Sequence, residues 1–249
     1  MPYWMWRLTP RWYSPKAPLQ INHGRVTSTW SVFQKTSPYN GTEQVLPSHR
    51  FDVYEFDHVN RREDEDGLRR AASMLNGLIQ EEHQKHGIPY ARIFVGGISQ
   101  GGAVSLLTAV TTSHPIGGVF VLSSYVTLRK KIPEVHLQSF TKVFRWNRFV
   151  QIRNEISKDL SIFWGHGNAD PQVNHDAWKG LAETLAEEIK IPFIYYNDDG
   201  KRLEAEKLRK SGTNALLFHT YNDLGHWFSS EEIEDLITWI SVVLERREQ

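Results

Sequence analysis

The chain has 249 residues, 40% of them hydrophobic and 23% charged, which is ample for a large buried core and ordinary for a globular domain. Its formal net charge is zero, so no overall field draws it toward nucleic acid or an anionic surface. It contains no cysteine, which excludes disulfides, thiolate metal sites and a cysteine nucleophile.

The first stretch, MPYWMWRLTPRWYSPKAP, is a short aromatic run interrupted by arginines and prolines, with no small-residue cleavage site after it. It does not read as a secretory leader. No run of roughly 18 apolar residues occurs anywhere, so no transmembrane helix is expected and the cytoplasm is the default location. Residues 1–45 lack convincing periodicity and form an atypical, partly disordered segment in this reading, with PLQIN and RVTSTWSVF as two short extended pieces. Across the first fifty residues, Arg7, Arg11, Lys16, Arg25, Lys35 and Arg50 stand against the single acid Glu43. That imbalance suits a solvated surface; the alternative is an arm in transient contact with a membrane surface or a partner.

From residue 46 onward the pattern becomes regular and reads as one domain. DGLRRAASMLNGLIQEEHQKHG carries apolar residues at 68, 71, 75, 78 and 79, one helix face, with Gly87 as its stop. RIFVGG is a short buried strand and QGGAVSLLTAVTTS a helix. GGVFVLSS and SIFWGHG are strands, HDAWKGLAETLAEEI is a helix, and ALLFHTY is a strand. SSEEIEDLITWISVVLERR closes the chain as a helix that opens on a capping box from Ser229 to Glu232. Continuous apolar strands alternating with amphipathic helices predict an α/β fold, its mostly parallel central sheet covered by helices on both faces.

In such sheets, reactive groups gather beyond the carboxyl ends of the strands. Three residues of suitable chemistry follow strands here: Ser99 after RIFVGG, Asp170 after SIFWGHG and His226 after ALLFHTY. Gly97-Ile-Ser99-Gln-Gly101 matches G-x-S-x-G, a sharp strand-to-helix turn in which glycines make room for a strained serine. The following helix turns its first N–H groups, that of Gln100 among them, toward a developing oxyanion. A five-residue pattern arises by chance, and Asp170 before Pro171 would also suit a plain turn. The order Ser…Asp…His, each after its own strand, favours a nucleophile, an orienting acid and a base. His83 and His86 lie three apart on a helix, but no carboxylates complete a metal site, and they read as surface residues near a helix end. His166 is expected to pack beside the acid loop.

These motifs resemble the acyl-protein thioesterase and carboxylesterase group of α/β hydrolases. The resemblance rests on EDEDGLRRAASMLNGLI, GIPYARIFVGGISQGGAVSL, GGVFVLSSYV, GHGNADPQV and YNDLGHWFSSEEIEDLITWI, in the family's order over residues 45 to 245. It implies an α/β-hydrolase fold, a Ser99–Asp170–His226 triad, no cofactor, and hydrolysis of acyl esters or thioesters. Acylated proteins, lysophospholipids or small esters would be the substrates.

The chain departs from that family in three places. The early strand ending in LHGLGD, which supplies the second oxyanion donor, has only QINHGRV as a counterpart, with Arg25 N–H as the donor. Two apparent insertions occur, one around VHLQSFTKVFRWNRFVQIRNEI and one around NDDGKRLEAEKLRKSG. The first is either a surface elaboration or a cap that meets acyl chains or a membrane surface. Val173 in the acid loop and Trp227 after the base are the residues expected to reshape the acyl pocket. An altered oxyanion strand leaves a second reading: a hydrolase fold that binds acyl groups or partners without turnover.

Overall fold

The computed structural model describes residues 13–14, 17–18, 27–30, 63–128, 159–197, 202–212 and 214–247. Two short strands, β1 (Tyr13–Ser14) and β2 (Ala17–Pro18), pair antiparallel with each other. The remaining strands among the described residues form one six-stranded sheet. They are β3 (Thr27–Trp30), β4 (Ile93–Ile98), β5 (Gly118–Leu122), β6 (Ile162–Gly167), β7 (Phe193–Asn197) and β8 (Leu216–Tyr221). Their spatial order is β3-β4-β5-β6-β8-β7, and every neighbouring pair is parallel.

Among the described residues, five α-helices flank these strands. α1 (Glu65–His86) precedes β4, α2 (Gln100–Thr111) links β4 to β5, and α3 (His175–Ile189) follows β6. α4 (Ala205–Ser211) lies between β7 and β8, and α5 (Ser230–Arg247) closes the chain. The period read from sequence is the one that folds: Leu68, Ala71, Leu75 and Ile79 of α1 are buried on a single face. The helix begins where Asp64 accepts a hydrogen bond from Gly67 N–H and ends at Gly87, whose φ of 68° is left-handed.

Each buried strand sends alternate residues to opposite faces, so the sheet has a core on each side. On one side Ile93, Val95, Val119, Val121, Ile162, Trp164 and Phe218 pack with α1, α2 and α3. On the other, Phe94, Phe120, Phe163 and Leu217 pack with α4 and α5. Trp239 fixes α5 to that second face. It is 1% exposed, meets Phe94 edge-on with ring centroids 5.8 Å apart, and leans on Phe163 at the same distance. Truncating such an anchor typically costs about 3–5 kcal/mol.

Several details differ from the sequence reading. β7 was not anticipated: FIYYN is half exposed at the sheet edge, where neither an unbroken apolar run nor a clean alternation is required. α4 falls within the second apparent insertion, where no helix was assigned from sequence. The capping box of α5 is only half formed. Ser229 Oγ accepts from Glu232 N–H, but the Glu232 side chain turns inward and is fully buried. β3 lies in RVTSTWSVF and extends the sheet upstream of residue 46, the expected start of the hydrolase domain. PLQIN beyond Pro18, the QINHGRV turn with Arg25, and the first insertion lie outside the described residues.

Candidate active site

Ser99, Asp170 and His226 follow β4, β6 and β8 in sequence, and the structure brings them together at the carboxyl edge of the sheet. β4 runs directly into α2, and Ser99 is the single residue between them, with φ 52° and ψ −121°. A non-glycine residue there is strained, and surrounding structure must hold it. Ser99 N–H donates to the Leu122 carbonyl at 2.9 Å. The turn is tight enough that a Cβ on Gly102 would lie 2.7 Å from the Gly97 carbonyl oxygen and 2.9 Å from the Ser124 side chain. Gln100 occupies the first position of α2, where the helix presents its positive end to the Ser99 hydroxyl's surroundings.

The acid and base loops are laced to each other. Asn168 N–H donates to the Tyr221 carbonyl and Ala169 N–H to the Leu224 carbonyl. The Asn168 side chain accepts from Asp223 N–H at 2.8 Å and donates to Asn222 Oδ1 at 2.9 Å. Gly167 allows this approach, because a Cβ there would collide with the Leu224 carbonyl. The result is a fixed distance between Asp170 and His226.

His226 stands between the other two residues. Its Nδ1 lies 2.8 Å from Asp170 Oδ2 and its Nε2 lies 2.9 Å from Ser99 Oγ. An ionised carboxylate only accepts, so Nδ1 carries the proton and Nε2 is left to accept from the Ser99 hydroxyl. Burial would push the Asp170 carboxyl pKa upward. Hydrogen bonds from His166 and His226, and from the N–H groups of Val173 and Gln172, outweigh it and hold the carboxyl well below the usual range.

His166, expected beside the acid loop, is fully buried there. Trp164 Nε1–H points at its Nδ1 at 3.4 Å, which leaves the proton on Nε2. That Nε2 is 3.0 Å from the Val173 carbonyl and 3.4 Å from Asp170 Oδ2. Val173 reaches the site through its backbone, while its side chain is 4% exposed and packs in the core. Trp227 is 52% exposed and stacks on Phe228 at 5.0 Å. The hydroxyls of Ser123 and Ser124 also touch the site's backbone, at the Trp227 and Ser99 carbonyls. Sequence reasoning passed over these two serines, whose one signal is their place just after a buried strand.

His83 is not simply a surface residue. It stacks on Tyr90, which stacks on His114, with centroids 4.0 and 4.3 Å apart. Among the described residues no group of His, Cys, Asp and Glu side chains is placed to hold a metal ion. No described helix is long and apolar enough to cross a membrane.

A parallel sheet that places a strained serine at a strand–helix turn, with an acid and a histidine on later loops, is the architecture of the α/β hydrolases. The solved structures agree: Arabidopsis thaliana SOBER1 superimposes with a TM-score of 0.56 at 24% identity, covering 78% of this chain and 73% of that one. Zea mays acyl-protein thioesterase 2 gives 0.53 at 19% identity, covering 78% and 71%. The phospholipase/carboxylesterase family model matches residues 34–210, and the chain belongs to that family and is a hydrolase. It is 32% identical to acyl-protein thioesterase 1 of Debaryomyces hansenii over 81% of this chain and 69% of the relative. The same-named protein of Cryptococcus neoformans is 29% identical over 93% and 78%.

Proposed function

We propose that the protein is a serine hydrolase that cleaves acyl thioesters or carboxylic esters through an acyl-enzyme on Ser99. The observation that carries this reading is the position of His226, within hydrogen-bond distance of both Ser99 Oγ and Asp170 Oδ2. Ser99 Oγ attacks the acyl carbonyl carbon while its proton passes to His226 Nε2. Asp170, ionised and tied to Nδ1, stabilises the imidazolium and holds its orientation. The Gln100 N–H donates to the oxyanion of the tetrahedral intermediate. His226 then protonates the departing thiolate or alkoxide. In the second half it takes a proton from an incoming water, whose oxygen adds to the acyl carbon, and returns that proton to Ser99 Oγ as the bond from Ser99 to the acyl group breaks and the acid leaves.

Acylated proteins are the substrate class favoured by the named relatives, with lysophospholipids and small esters as the chemically equivalent alternatives. Trp227, next in sequence to the base and exposed, is proposed to meet the acyl chain. Arg25 N–H, in the QINHGRV segment outside the described residues, is the proposed second oxyanion donor.

A fluorophosphonate probe tests the reading. Covalent labelling of the folded protein that disappears in Ser99→Ala supports it. A folded wild type that takes no label points instead to the binding protein without turnover.

A further inference from the structure

Ser123 has φ 42° and is fully buried. Ile98 and Leu122 are register partners in β4 and β5, so Ser99 and Ser123 are the next residues along neighbouring parallel strands. Two adjacent serines thus share a left-handed backbone that glycine would adopt without penalty. For Ser99 the nucleophile explains why glycine is absent. Ser123 needs another reason, and its hydroxyl supplies one.

Ser123 Oγ donates to the Trp227 carbonyl at 3.0 Å, one residue beyond His226. The next residue, Ser124, donates from Oγ to the Ser99 carbonyl at 2.5 Å. Ser123 N–H is itself held by the Gly165 carbonyl of β6. Ser99 leaves β4 and His226 follows β8, and β5 and β6 lie between those strands. Two consecutive residues at the end of β5 therefore hold the backbone of both loops whose side chains must meet.

We infer that Ser123 and Ser124 are paired positioning residues, a tie across the carboxyl edge of the sheet that sets the Ser99 Oγ–His226 Nε2 distance. The inference rests on the serine-hydrolase reading above. Ser124 restrains the strained turn so that Ser99 Oγ stays raised, and Ser123 restrains the base loop so that the imidazole stays within reach. Neither touches the reacting atoms. A hydroxyl that only satisfied a buried carbonyl would support folding without favouring turnover over binding. A tie that sets the reacting distance acts on kcat and leaves KM nearly unchanged.

The test uses the full chain with a p-nitrophenyl ester, the fluorophosphonate probe and thermal melting. Ser123→Gly relaxes the backbone strain and removes the hydroxyl, so its melting temperature should stay close to that of wild type. Its kcat and labelling rate should nevertheless fall about tenfold, with KM little changed. Ser124→Ala relieves no backbone strain, so its melting temperature should fall, while its kcat and labelling rate, read well below the melt, should also drop about tenfold at similar KM. The double variant should lose much less than the product of the two, since one broken tie already frees the distance. If the wild type is labelled but both single variants keep kcat within about twofold, the tie is overturned and the triad stands. Independent, multiplicative losses also overturn it. A wild type that takes no label overturns the triad reading, and the tie with it.

Discussion

Gly165 of β6 and Glu232 of α5 are in such close approach that a Cβ on the glycine would fall inside the Glu232 carboxylate. Both carboxyl oxygens of Glu232 are buried without a hydrogen-bond partner, three residues from the buried Asp235. Burial pushes the Glu232 pKa up to about 8 from 4.5; the Ser229 backbone opposes this, and the Asp235 charge adds to it.

The folded protein therefore keeps a proton that the unfolded chain releases above pH 4.5. Stability falls as pH rises from about 4.5 to about 8 and levels off beyond, a loss on the order of 4–5 kcal/mol for this group. Glu232→Gln removes the titration. Its stability relative to wild type should climb by several kcal/mol between pH 5 and pH 8.5, measured by urea unfolding at each pH. A difference that stays constant across that range would show that Glu232 ionises freely in the folded state.

Asp170 works in the opposite sense. Its carboxyl pKa is held low, so the stability it contributes is present above its unfolded value of 3.8 and is lost only as pH falls through the lower folded value. Acid inactivation above pH 4 then has no Asp170 component. Asp170→Asn should retain the fold yet lower kcat on the order of 10³–10⁴-fold, because an amide does not secure the proton on His226 Nδ1. Near-normal turnover in this variant would remove Asp170 from the mechanism.

His166 links three parts of the acid loop. His166→Phe keeps a ring in the space but leaves the Trp164 N–H and the Val173 carbonyl unpaired. The expected cost is about 1–3 kcal/mol of stability. Loosening Asp170 should also lower kcat about tenfold at unchanged KM, read well below the unfolding midpoint. A stability loss with unaltered kcat would make His166 a core residue and nothing more.

The parts legible in the sequence are those that parallel sheets write into it. β4, β5, β6 and β8 are buried on both faces, so each carries an unbroken apolar stretch (IFV, VFV, IFW and LLF). The residue after such a run lies at the sheet's carboxyl edge whatever the strand order, so Ser99, Asp170 and His226 could be grouped before their distances were known. β7 escaped because an edge strand with Tyr195 exposed needs no such run. The inward turn of Glu232 escaped because a Ser-x-x-Glu start also describes an exposed cap. Only the third dimension sets Gly165 opposite it. The Ser123 and Ser124 contacts span 104 and 25 residues of sequence, and no local pattern encodes them.

Trp227 separates substrate contact from folding. More than half of its surface is open, and its ring stacks on Phe228 alone among the described aromatic side chains. Its fixed part is the backbone carbonyl that accepts from Ser123, a group that alanine supplies equally well. Trp227→Ala should therefore shift stability by only about 0.5 kcal/mol. An exposed indole beside the base adds apolar area that a long acyl chain can cover and a short one cannot, at about 25 cal/mol per Å². KM should rise for long-chain esters and thioesters and stay the same for acetyl esters, with kcat similar for both. A series of p-nitrophenyl esters of increasing chain length measures this directly. An equal effect at every chain length would place the ring outside the acyl path and would make it an element of the base loop.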